Sequence, residues 1–326
     1  MSTLILPCCG DSVRFGGLRP KFLLTHPNGH CMVRAGMEGL GNVDRVLLVV
    51  RADHVAKYKF IDGLRYQFNG QLDVCILDER TSGPAETVYR AILHKKINGP
   101  IAIKDCDNYF ECDVPNCNFV AFSTLTEQTN ALNKSYVLLD GDRIVNIKDR
   151  EILSRDFCCG LYCFENSQEF VDVFEKNNYP NVCGIVEAIG GFKSIKVMNY
   201  YDWGTREDWT KYCETFKTIF IDLDGVIVKN SSQFMKPKWG ETELIQKNVD
   251  YLKRQTNATI IITTCRTEEY KEVTERQLEG VPYHRIIFGL PHSKRFLVND
   301  YAGSNPYPSA YAVNIQRDSD KLEEFM

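Results

Sequence analysis

The 326-residue chain has no apolar run approaching the ~20 residues that a membrane-spanning helix needs. Its first stretch, Met1 to Pro7, has no basic residue and no long apolar core, so no secretory leader is expected there. Positive charge is not in excess: 39 Lys and Arg against 43 Asp and Glu leave −4, so neither nucleic acid nor a membrane surface is expected as a partner. Paired C-x-x-C zinc spacings are missing, although the chain has 13 cysteines. The adjacent pairs Cys8-Cys9 and Cys158-Cys159 suit no disulfide framework, and Cys75, Cys163 and Cys183 fall in apolar stretches, where cysteine packs as a small hydrophobe. The set reads as reduced thiols of a cytoplasmic protein. No Gly/Ser- or Pro-rich linker, repeat or low-complexity run interrupts the chain, so two domains are expected to abut.

What is present begins with Thr218-Ile219-Phe220-Ile221, an apolar, β-favouring stretch read as a buried strand. Asp222 and Asp224 follow on one side of it, and Gly225 bends the chain. Two carboxylates beside an apolar strand call for a cation or a reaction; the alternative is a solvated strand end. Ile260 to Thr264 reads as a second strand, ending in hydroxyls. Lys294 precedes a third, Phe296-Leu297-Val298-Asn299-Asp300, ending in a carboxylate. Helical patterns at Asn248–Gln255 and Glu268–Glu279 separate them, which implies a doubly wound parallel sheet with its ligand site at the strands' C-terminal ends.

In this order the residues resemble the four motifs of the haloacid dehalogenase (HAD) superfamily of phosphotransferases. The resemblance implies that Asp222 is the nucleophile and Asp224 the general acid and base. Thr264, or Thr263 one register away, would bind phosphoryl oxygens, and Lys294 would offset charge. One Mg2+ would be held among Asp222, Asp224 and Asp300. Asn299 departs from the pattern, standing where many relatives carry a second acid. The gaps between motifs are too short for a cap domain, so an open site is expected, roofed by the Ser231–Gly240 loop or the neighbouring domain.

The first segment runs from the apolar Leu4-Ile5-Leu6 through Gly10, Asp11 and Ser12 to Arg14 and Lys21. A strand meeting a loop of small residues and two cations can cradle phosphates. Apolar stretches at Asp44–Val50, Leu72–Leu77 and Pro100–Lys104 read as further strands, the last delivering Asp105-Cys106-Asp107. Gly83-Pro84 opens a helix. Asp140-Gly141 marks a hairpin turn leading to Asp149-Arg150. Cys159-Gly160-Leu161-Tyr162-Cys163-Phe164 and Tyr201-Asp202-Trp203-Gly204-Thr205 complete the series.

Together these fragments resemble the nucleotidyltransferases that activate sugar phosphates. The resemblance implies a second Mg2+ on Asp107 and Asp202, with Arg14 and Lys21 stabilising a triphosphate. Substrate contacts are implied at Gly10, Ser12, Gly83, Pro84, Asp149, Arg150, Gly160, Gly204 and Thr205. Two departures stand out: Ser12 replaces a glycine, and the stretch from Arg14 to Lys21 is short.

The expected architecture is α/β in two domains. Residues 1–214 form a mixed sheet with helices on both faces, and residues 215–326 form a capless HAD-type domain. The expected enzyme is bifunctional. It transfers a nucleotidyl group from CTP, UTP or dTTP to a sugar phosphate or similar phosphorylated small molecule, and it hydrolyses phosphate monoesters through an aspartyl-phosphate. The context, by fold-level analogy, is surface polysaccharide precursor synthesis. Two rivals stay open: a phosphatase with a nucleotide-binding or substrate-positioning N-terminal domain, and a non-catalytic sugar-nucleotide sensor or scaffold. A homo-oligomer also stays open.

Overall fold

The computed structural model describes residues 2–16, 19–126, 129, 131, 134–231, 237–299 and 310–326. Asp300 and positions 232–236 of the expected roof loop lie outside them. The chain divides into two compact units, Met1–Trp209 and Thr210–Met326, within the helix Arg206–Glu214 that ends the expected first domain.

In the larger unit the strands are β1 (Thr3–Pro7), β2 (Leu40–Gly41), β3 (Arg45–Arg51), β4 (Leu72–Leu77), β5 (Ile101–Lys104) and β6 (Asn108–Asp113). They continue as β7 (Phe119–Thr124), β8 (Ser135–Asp140), β9 (Arg143–Asp149), β10 (Asp156–Phe164), β11 (Lys193–Lys196) and β12 (Met198–Asp202). Nine form one mixed sheet in the order β4-β3-β1-β5-β10-β7-β11-β9-β8. β1 is parallel to β3 and β5, while β10 runs antiparallel to β5 and β7.

Alternation along the central strands feeds two cores. Leu4 and Leu6 of β1, with Val46, Leu48 and Val50 of β3, face one; Ile5, Leu47 and Val49 face the other. Helices Pro84–Lys95, Ser167–Asn177 and Val182–Ile189 pack on the Ile5 side, and Ala52–Tyr58 and Ile61–Gln67 on the Leu4 side. Cover on both faces is why these strands read as continuous apolar runs. Each fully buried Leu or Ile contributes about 2 kcal/mol through burial.

A small second sheet, β12-β6-β2, positions the site. β12 pairs antiparallel with β6, setting Asp202 opposite Asn108, and Trp203 N–H donates to Asp107 O at 2.9 Å. Trp203 is fully buried and meets Trp209 edge-on at 5.2 Å.

The smaller unit has three parallel strands in sequential order: β13 (Lys217–Asp222), β14 (Ala258–Thr263) and β15 (Arg285–Ile287). Its core joins Ile219, Ile221 and Leu223 to Val249, Leu252, Ile260, Ile262 and Leu278. Two expectations are corrected among the described residues. Sequential order means that the sheet winds in one direction, not two. The third strand is β15, whereas Phe296–Asn299 forms none: Phe296, Leu297 and Val298 are 79%, 55% and 87% exposed, with no strand paired to their backbone. Apolar composition gives a segment its strand propensity but supplies no partner for its N–H and C=O groups.

Candidate active site

The larger unit holds a cavity of about 120 Å³ where β5 and β12 end, β6 begins and the middle of β10 passes. Arg14, Asp105, Asp107, Lys134, Tyr162, Asp202, Gly204 and Thr205 are among its lining residues. Lys21 Nζ donates to Asp107 Oδ2 at 2.5 Å, and Lys134 Nζ donates to Asp202 Oδ2 and, at 2.8 Å, to the Tyr200 hydroxyl. The Lys134 ammonium also lies 5.1 Å from the ring centres of both Phe157 and Tyr200, a cation–π setting that offsets its desolvation.

Burial alone would raise the Asp107 carboxyl and lower the Lys21 ammonium. Their mutual attraction wins, so Asp107 is held at about 2 and Lys21 is pushed above its usual value. Lys104, fully buried, bonds to Asn108 and donates to Asp105 O at 2.8 Å; burial lowers it to about 8. Asp105 goes up to about 6, through burial first and the neighbouring Asp107 charge second.

A Cβ built on Gly204 would lie 3.1 Å from Asp202 Oδ1, 3.4 Å from Asp107 Oδ2 and 3.7 Å from Arg14 Nη1. The two carboxylates and the guanidinium thus face one small space beside Gly204. Among the described residues no group of three or more His, Cys, Asp or Glu could hold a metal ion. Two hard carboxylates sharing a space nevertheless fit Mg2+, which takes one or two carboxylates and fills its shell with water and phosphate oxygens.

The cavity brings together Arg14, Asp107, Gly160, Asp202, Gly204 and Thr205, and reaches Lys21 through Asp107. It is not lined by Gly10, Ser12, Gly83, Pro84, Asp149 or Arg150. Ser12 keeps a left-handed φ of 54°, which glycine adopts freely, and its Oγ accepts from Lys21 N–H at 2.8 Å, tying the short loop closed. Gly83 caps the helix Pro84–Lys95, and a Cβ there would strike Pro180 O at 2.0 Å. Arg150 is 71% exposed at its side chain, and Asp149 reaches the cavity only behind Ser135, whose Oγ donates to it at 3.0 Å. Sequence reasoning missed Lys134, Lys104 and Tyr200, and passed over Asp105 in favour of Asp107. The one available signal was Lys104-Asp105, charge placed at and directly after the last residue of a buried strand.

In the smaller unit Asp222 ends β13 and accepts from Arg295 Nη1 and Nη2 at 3.2 Å; burial raises its carboxyl while Arg295 opposes the rise. Asp224 lies in the fork of the fully buried Arg266, with Nε to Oδ2 at 3.0 Å and Nη2 to Oδ1 at 2.7 Å. Arg266 is fixed in turn by Thr274 Oγ1 at 3.0 Å and Gln277 Oε1 at 2.8 Å. Thr264 Oγ1 donates to Asp224 Oδ2 at 3.4 Å, and Thr263 Oγ1 to Ile221 O at 3.2 Å. Lys294 is exposed, its ammonium 5.8 Å from the Phe296 ring centre, so Arg295 rather than Lys294 meets Asp222.

No protein-family model matches the chain, and no curated protein matches it in sequence. No described helix is long and apolar enough to cross a membrane. Solved structures do match in fold. The nucleoside-diphosphate-sugar pyrophosphorylase of Vibrio cholerae RC9 aligns over 65% of this chain and 99% of its own, at 13% identity and a TM-score of 0.53. A glucose-1-phosphate thymidylyltransferase assigned in Bacillus anthracis aligns over 66% and 94%, at 15% identity and 0.53. The inositol-1-phosphate CTP transferase of T. maritima aligns over 65% and 93%, at 15% identity and 0.54. Over about two thirds of its length the chain therefore has the fold shared by nucleotide-sugar pyrophosphorylases and related nucleotidyltransferases.

Proposed function

We propose that the larger unit transfers a nucleotidyl group from a nucleoside triphosphate (CTP, UTP or dTTP) to a sugar phosphate or similar phosphorylated small molecule. The observation that carries this is the convergence of Asp107, Asp202 and Arg14 around Gly204, beside two lysines, in a chain with the pyrophosphorylase fold. An acceptor phosphate oxygen attacks the α-phosphorus in line, and the bond to pyrophosphate breaks. Positioning and charge neutralisation dominate such a reaction. Arg14 and Lys21 stabilise the triphosphate and the departing pyrophosphate. An ammonium has three donors, so Lys21 and Lys134 can each hold an aspartate and a phosphate oxygen together. Mg2+ on Asp107 and Asp202 would supply further neutralisation at the α-phosphate. The test is pyrophosphate release from CTP, UTP and dTTP across a panel of phosphorylated acceptors. Activity with at least one pair, lost in Asp107→Ala and Asp202→Ala, is expected. A folded wild type that neither binds nor turns over any triphosphate refutes the reading.

For the smaller unit the proposal is HAD-type phosphate monoester hydrolysis. Its support is Asp222 and Asp224 at the end of β13, with Thr264 within reach of Asp224. The Asp222 carboxylate would attack phosphorus as the P–O bond to the ester oxygen breaks and that oxygen takes a proton from Asp224; Asp224, now a carboxylate, would then take a proton from the water that cleaves the aspartyl-phosphate. Arg295 would offset the charge that Lys294 was expected to meet. Mg2+ on Asp222, with Asp224 and Asp300 as the other acids, would neutralise phosphoryl charge. Asp222→Asn should abolish hydrolysis of p-nitrophenyl phosphate without changing the unfolding curve, and retained turnover refutes the assignment. Both activities together suit synthesis of a precursor for a surface polysaccharide in the cytoplasm.

A further inference from the structure

Asp224 and Arg266 lie just past the C-terminal ends of two paired strands of the smaller unit. β13 and β14 run parallel with Asp222 opposite Thr263, so the residues that follow emerge side by side. Four contacts fix the guanidinium: Nε and Nη2 fork onto Asp224, and Nη1 donates to Thr274 Oγ1 and Gln277 Oε1. The backbone is pinned as well, Arg266 N–H donating to Thr264 Oγ1 at 3.1 Å and Arg266 C=O accepting from Gly289 N–H at 2.8 Å. Gln277 is held in turn, its Nε2 donating to Thr242 O at 2.7 Å and to Thr242 Oγ1 at 3.1 Å. Thr242 lies on the stretch leading to Leu244, which pairs with Val228. On the same stretch the Trp239 ring centre lies 5.9 Å from the Arg266 guanidinium carbon, and Trp239 meets Tyr270 edge-on at 4.6 Å. A Cβ on Gly240, which has φ +92°, would strike Val273 Cγ2 at 2.3 Å. The relay Thr242–Gln277–Arg266–Asp224 is thus continuous and closely packed. Stability does not account for it, because replacing a buried ion pair by apolar residues of similar volume is often neutral or stabilising.

We propose that Arg266 is a positioning residue, aiming Asp224 so that its Oδ1 delivers the proton to the ester oxygen as the P–O bond breaks. The inference rests on the phosphate-hydrolysis reading of this unit and extends it to the leaving group. A carboxylate has about four lone-pair positions. Oδ2 accepts from Arg266 Nε and Thr264 Oγ1, whereas Oδ1 accepts from Arg266 Nη2 alone among the described residues. The position that carries the proton is therefore on Oδ1, and the planar fork fixes where it points. An acid held in this way serves esters of ordinary alcohols, whose oxygen leaves only as it is protonated. An activated ester such as p-nitrophenyl phosphate expels a stable phenolate and has little need of it. The substrate class is an unactivated alkyl phosphate.

The test measures phosphate release by the full chain, with Mg2+, from p-nitrophenyl phosphate, phenyl phosphate and glycerol 3-phosphate. The variants are Arg266→Lys, whose single ammonium cannot fork, Gln277→Leu and Asp224→Asn. Wild type should hydrolyse all three esters. Arg266→Lys should lose about 100-fold in kcat/KM with glycerol 3-phosphate and less than about tenfold with p-nitrophenyl phosphate, phenyl phosphate falling between. Gln277→Leu should show the same order with smaller losses. Arg266→Lys added to Asp224→Asn should not steepen that order further, because both substitutions act on one group. Circular dichroism confirms that the variants fold; if Arg266→Lys does not, Gln277→Leu decides alone. Equal losses with all three esters, no loss in the folded variants, or wild-type turnover confined to p-nitrophenyl phosphate overturns the role of Arg266 while sparing hydrolysis at Asp222. A folded wild type that hydrolyses none of the esters overturns both.

Discussion

In the cavity of the larger unit Asp107 and Asp202 each meet a lysine through one ammonium, whereas in the smaller unit Asp224 sits in the two-pronged fork of Arg266. The ammonium is a mobile point charge on a flexible stem; the guanidinium is a planar clamp, itself held by Thr274 and Gln277. Exposure follows the same division. The Arg266 side chain is 0% exposed, while those of Lys21 and Lys134 are 21% and 10% exposed at the cavity. The lysine pairs therefore suit carboxylates that must exchange partners during a reaction, and the arginine clamp suits a carboxylate whose orientation must not change.

The largest effect should come from breaking the clamp. Arg266→Met leaves Asp224, only 10% exposed at its side chain, without its counter-charge. Loss of one member of such a buried pair costs about 3–5 kcal/mol, which urea unfolding of the full chain would register. A loss below about 1 kcal/mol would mean that the fork is not structural.

A smaller effect separates two buried lysines. Lys104, with no carboxylate partner, is lowered from 10.5 to about 8, while Lys21, with Asp107, is raised. Between pH 8 and 10.5 unfolded chains hold a proton on Lys104 that folded chains do not, so this group makes stability rise with pH in that window. Lys21 contributes in the opposite sense, its stabilisation complete below 10.5 and lost only as pH climbs towards its raised value. Wild type should therefore gain on the order of 2 kcal/mol over Lys104→Met between pH 7 and 10, measured by urea unfolding at each pH. A flat difference would remove the buried, unpaired character of Lys104.

Smaller again is the effect of Lys134→Met, which keeps the stem over Phe157 and Tyr200 but removes the charge. It should lower kcat/KM for the phosphorylated acceptor about tenfold, roughly 1.4 kcal/mol. An unchanged value would reduce Lys134 to a placeholder for Asp202.

How much of this was legible depended on where each signal resides. β1, β3 and β5 were readable because burial of both faces writes a continuous apolar run into the sequence. β15 was not, since it has three residues and opens on an exposed arginine. Phe296–Val298 has the composition of a strand, but pairing is a property of two segments and cannot be read from one. The acids Asp107 and Asp202 stood out because each follows a strand-like stretch. Lys134 did not, because its place in the cavity arises only when β8 and β9 pair and Arg150 N–H bonds to Lys134 O at 2.9 Å. That pairing leaves Asp149 and Arg150 outside the cavity they were expected to serve.

The most direct test of two separate acid sites is a crossed assay on the full chain. Pyrophosphate release and p-nitrophenyl phosphate hydrolysis are each measured in wild type, Asp107→Ala and Asp222→Asn. Separate sites predict that Asp107→Ala loses only pyrophosphate release and Asp222→Asn loses only hydrolysis, because sites that share no residue respond independently. Loss of pyrophosphate release in a folded Asp222→Asn protein, or its survival in Asp107→Ala, would contradict the account.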